Sequence, residues 1–105
     1  MSRVERGRRV ARYLTGHTGI PNLRYEFGQG ILAPYPYLIQ VTSATAGWRF
    51  FQDIAEMPED RIGMVIRNDA FLESIDSSVV GIKLHAFCKL MEAHYKTIED
   101  RINPE

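Results

Sequence analysis

The sequence predicts an α+β fold: a small sheet of about three strands with helices packed on one face, in the order α-β-β-α-β-(α)-α. Three observations carry this expectation. Apolar residues recur at helical spacing in a basic N-terminal stretch and in a long C-terminal one. Short alternating or β-branched runs lie between them, and stretches rich in glycine and proline separate the runs. In 105 residues, 45% apolar and 25% charged, such alternating elements bury their apolar sides in one small layered domain. We therefore read 1–105 as a single unit.

Residues 3–15 predict a basic helix. Val4, Gly7, Val10, Ala11 and Leu14 fall on one arc, and the arginines take the remaining circumference. Gly16 sits where a helix C-cap is expected. Gly7 lies within the apolar stripe, where a missing side chain permits close approach of a neighbouring element.

"LRYEF" (23–27) alternates and reads as a strand. "PYLIQVTS" (36–43) is a second, with Tyr37, Ile39 and Val41 on one face. Between them stands "GQGILAPYPY" (28–37), where Gly28, Gly30 and Ala33 have the spacing of a dinucleotide-binding fingerprint. That fingerprint needs a helix after the glycines, because its free N–H groups hold the pyrophosphate. Pro34 and Pro36 exclude the helix, so the stretch reads as a turn and no cofactor is expected.

"GWRFFQDIAEM" (47–57) predicts a helix with Trp48, Phe51, Ile54 and Ala55 inward, limited by Pro58. Phe50 and Tyr35 fit no core phase and are expected as exposed contact residues, with Arg49 as a companion. "IGMVIR" (62–67) reads as the third strand, and "NDAFLESI" (68–75) as a short helix capped by Asn68. The last element is a long amphipathic helix over about 78–102. Its face runs through Val80, Leu84, Phe87, Cys88, Met91, Tyr95, Ile98 and Ile102. Lys83, Lys89, Glu92, Lys96, Glu99 and Asp100 keep the opposite side wet. So broad an apolar face needs more partner surface than three short strands supply, and predicts a homodimer or a heteromeric partner on it.

The residues point away from catalysis. Cys88 is the single cysteine and lies in the apolar stripe, which rules out a disulfide framework and a Cys-based zinc site. His85 and His94 are nine residues apart on one helix, not at metal-pair spacing, and no metal is expected. No G-x-S-x-G elbow surrounds a serine. No apolar run reaches membrane-spanning length, and the basic N-terminus is followed by no apolar segment of the kind a secretory signal carries. A cytoplasmic location is expected.

Charge gives the one pattern above background. Net charge is zero, but residues 1–24 hold six arginines against Glu5, a local balance of +5, and residues 53–76 hold seven acids. An asymmetry of this kind indicates an electrostatic partner. Arg3, Arg6, Arg8, Arg9 and Arg12, with Tyr35, Arg49 and Phe50, form the expected partner-binding set. The first expectation is a small non-catalytic regulatory protein acting through protein–protein contacts. The alternative is a nucleic-acid-associated factor using the arginine helix; the neutral whole chain argues against it.

Residues 24–43, an extended segment, a Gly/Ala/Pro turn and then "PYPYLIQVTS", resemble the first hairpin of small phage tail-completion proteins. That resemblance implies a third expectation: a tail-completion or other assembly subunit of phage or prophage origin.

Overall fold

The computed structural model describes residues 3–42, 47–67, 75 and 78–102. Among these, three helices and five strands follow the order α1 (Arg3–Thr18), β1 (Arg24–Glu26), β2 (Gly30–Leu32), β3 (Tyr37–Thr42), α2 (Gly47–Ala55), β4 (Ile62–Arg67), β5 (Val79–Ile82) and α3 (Leu84–Ile102). The α+β class expected from the sequence holds. The strand count and the exact order do not. The short helix expected at 68–75 falls almost wholly outside the described residues.

The strands form one mixed sheet in the order β1-β2-β3-β4-β5. Tight connections make β1, β2 and β3 antiparallel neighbours, while β3 and β4 run parallel, with Ile39 opposite Met64 and Val41 opposite Ile66. Helix α2 is the crossover that a parallel pair requires. β5 returns antiparallel, placing Gly81 opposite Val65 and Val80 opposite Ile66.

Two strands escaped the sequence reading, each for a physical reason. β2 hides inside "GQGILAPYPY". Gly28 and Gly30 have φ of 81° and 88°, and Gln29 N–H donates to the Glu26 carbonyl at 3.0 Å, which turns the chain back within three residues. β5 looks like the start of the C-terminal helix because Val80 keeps that helix's apolar phase. A β-branched pair followed by Gly81 favours a strand over a helix, so α3 starts only at Leu84.

Helices pack on both faces of the sheet, not on one as expected. Strand side chains alternate between faces. Ile39 and Ile66 join Val10 and Ala11 of α1, Leu23 and Ile31 in one buried cluster. Leu38 and Val65 pack with Phe50, Ile54 and Met57 on the other side. A sheet whose interior strand β4 is apolar on both sides, with Ile62, Val65 and Ile66 all buried, has to be covered twice.

Helix α1 runs to Thr18, one turn beyond the expected end. Gly19, with φ of 75°, closes it through its N–H to the Thr15 carbonyl at 3.1 Å. Gly7 has the close approach its place in the stripe implied, since a Cβ there would land on the Tyr25 ring. No helix of the described residues is long and apolar enough to cross a membrane.

Candidate interaction surfaces

Helix α3 carries the largest exposed apolar surface. Its attachment to the body uses only its beginning and its back. Ala86 is buried and Leu90 half-buried, whereas every residue from Met91 to Ile102 is exposed. Three polar contacts fasten the same side to the loop after α2. Lys83 Nζ donates to the Met57 carbonyl at 2.8 Å, and Lys89 Nζ donates to the Glu59 carbonyl at 3.1 Å. The His85 ring lies 3.1 Å from that same Glu59 oxygen through Nε2. By sequence, Lys83 and Lys89 fall on the wet side of the helix. Their role was hidden because the acceptors are backbone carbonyls of a distant loop.

At about 100° per residue, Ala86, Leu90, His85 and Lys89 occupy one half of the helix. Leu84, Phe87, Met91, Tyr95, Ile98 and Ile102 lie in the other. That second group is solvent-exposed throughout, including Leu84 at 76%, Tyr95 at 65% and Ile102 at 70%. With a rise of about 1.5 Å per residue the helix is about 28 Å long, and more than half of it extends past the body. The Cα radius of gyration of 14.8 Å exceeds the roughly 13 Å of a compact chain of this length, as an outstretched helix requires.

A second apolar patch lies on α2. Phe50 is 7% exposed, whereas Trp48 is 68% and Phe51 70% exposed. This reverses the expected phase. The cause lies in the sheet, which has no side chain at Gly81 or Gly63. A Cβ on Gly81 would strike Ile54 and Phe50, and one on Gly63 would strike Met57. The helix turns Phe50, Ile54 and Met57 into those hollows, leaving Trp48 and Phe51 outside.

The expected partner-binding residues do not form one surface. Arg8, Arg9 and Arg12 are exposed on α1 and Arg6 is half-buried, while the Arg3 side chain lies outside the described part. Arg49 is exposed on α2, across the sheet from the arginine helix. Phe50 is withdrawn from the set, since it belongs to the core. Tyr35 is 71% exposed at the loop before β3. Its hydroxyl makes a long 3.5 Å contact to the Asp60 carbonyl, and the Arg61 guanidinium lies 4.9 Å from its ring centroid. Tyr35 thus belongs with the loop that anchors α3, not with the arginines.

No family model, curated protein or solved structure matches the chain. Function is argued from these surfaces alone.

Proposed function

We propose that this chain is a small non-catalytic binding protein that works through protein–protein contacts and self-associates through α3. The observation that carries the reading is the apolar face of α3. It holds six large side chains in a continuous row, exposed from Leu84 to Ile102. Scattered surface apolar residues are ordinary, but a contiguous row of this size marks an interaction surface. Nor does the row serve the chain's own core, because α3 already meets the body through its opposite side.

Replacing Met91 with aspartate tests this directly. We expect the wild-type chain to scatter light as a dimer at micromolar concentration, and Met91→Asp to scatter as a monomer. The fold of the body should be unchanged, since Met91 is 56% exposed and lies on the side of α3 turned away from it. A wild-type monomer at high micromolar concentration would remove the self-association reading.

The exposed Trp48 and Phe51 favour a second reading, in which the chain is a subunit of a larger assembly. A subunit that meets two different neighbours needs two separate patches, and α2 and α3 supply one each. Under that reading Phe51→Asp stops growth beyond the dimer that α3 forms, and Met91→Asp removes that dimer while leaving the α2 contact in place.

A further inference from the structure

We propose that the occupant of the α3 face is α3 of a second copy, packed parallel to the first about a twofold axis along the helices. This rests on the self-association reading and adds its geometry. The first support is shape. The contacts that hold α3 to its own body, through His85, Lys89, Ala86 and Leu90, lie on the half of the helix opposite the apolar row. Two such helices meet face to face with both bodies turned outward.

Charge decides the direction. The apolar row is flanked on one side by Glu92 and Glu99 and on the other by His94 and Arg101, all exposed. A twofold axis parallel to the helices sets the first flank of each copy against the second flank of its mate. Glu92 and Glu99 then face His94 and Arg101 at both edges of the contact. A perpendicular axis, which makes the helices antiparallel, sets each flank against itself, the carboxylate flank against the carboxylate flank and the basic flank against the basic flank. Flanking charges of this kind choose partner and direction in paired helices. Glu92 also has Lys96 at 3.1 Å on its own helix, so Glu99 is the freer of the two acids.

The row is compatible with nearly straight helices. From Leu84 to Ile102 it advances 18 residues in five steps, 3.6 per step, which keeps one face toward the partner without winding. In the parallel arrangement each central row residue meets its own counterpart, Met91 with Met91 and Ile98 with Ile98 of the second copy.

Disulfide trapping reads that self-contact. In a chain carrying Cys88→Ser, a cysteine introduced by Ile98→Cys or Met91→Cys is expected to link two full-length copies under mild oxidation. The control Cys88→Ser with Lys96→Cys, on the far side of the helix, should not. A charge exchange gives an independent measure. Glu92→Lys with Glu99→Lys should weaken self-association about tenfold, and adding His94→Glu with Arg101→Glu should restore it.

The parallel arrangement is overturned if wild type is dimeric yet Ile98→Cys does not crosslink, or if Lys96→Cys links equally well. It is also overturned if Ile98→Cys links only while Cys88 is present, because that pairing belongs to antiparallel helices. Each of these outcomes leaves self-association standing. Only a monomeric wild type removes both.

Discussion

Gly30 shows how much one missing side chain decides. Its φ of 88° is open to glycine and costly for other residues, and a Cβ there would meet the Ile39 backbone oxygen. Gly28 has a similar φ of 81° but faces open space. Alanine at Gly28 therefore introduces backbone strain alone, about 1 kcal/mol, whereas alanine at Gly30 adds a clash with rigid backbone and should cost about 3 kcal/mol. Chemical denaturation of the two variants checks this, with the Gly30→Ala midpoint expected clearly below that of Gly28→Ala. Both glycines were read from the sequence as turn residues. Which of them is crowded depends on β3 packing beside β2, a contact no local pattern reveals.

Among the elements, α3 divides into an anchored start and an outstretched end. Isolated helices of this length are marginal in water and draw their stability from packing. In the monomeric Met91→Asp variant we expect amides from Tyr95 to Ile102 to exchange rapidly with solvent, while those near Leu90 stay protected. In the associated wild type both stretches should be protected. Hydrogen-exchange mass spectrometry resolves the two. Equal exchange of the far turns in both proteins would show that nothing covers them. The periodicity of α3 was legible from Leu84 onward, but its start was not. Val80 fits the helical phase and the strand pairing equally, and the pairing with Ile66 settled it. Helix α2 failed in the same way: two apolar arcs, Trp48-Phe51-Ala55 and Phe50-Ile54, compete on one short helix, and period alone cannot rank them.

The whole molecule is electrically neutral but divided. Arg8, Arg9 and Arg12 ride on one face of the sheet, and Arg49 and Asp53 ride on α2 against the other. The α2 side therefore carries charges of both signs, while the arginines of α1 keep their own face basic. For a protein-binding chain we expect no retention of duplex DNA or RNA at about 150 mM salt, because phosphate contacts weaken steeply with salt and the chain has no net positive charge to sustain them. Filter binding across a salt series measures this. Affinity that survives, and that falls when Arg8, Arg9 and Arg12 are changed to alanine, would favour the nucleic-acid alternative.

The sequence by itself determined the α+β class, the basic helix, three of the strands, the turn at Gly28 and the apolar row on the last helix. Each of these rests on local periodicity or on backbone preferences carried by single residues. Tertiary structure alone decided that the sheet is covered on both faces, that Val79–Ile82 is its fifth strand, that Phe50 is inside and Trp48 outside, and that α3 meets its own body with its less apolar side. Those outcomes depend on which surfaces meet. An interior strand with side chains buried in both directions, and glycine hollows at Gly63 and Gly81, select among faces that the sequence leaves equally apolar.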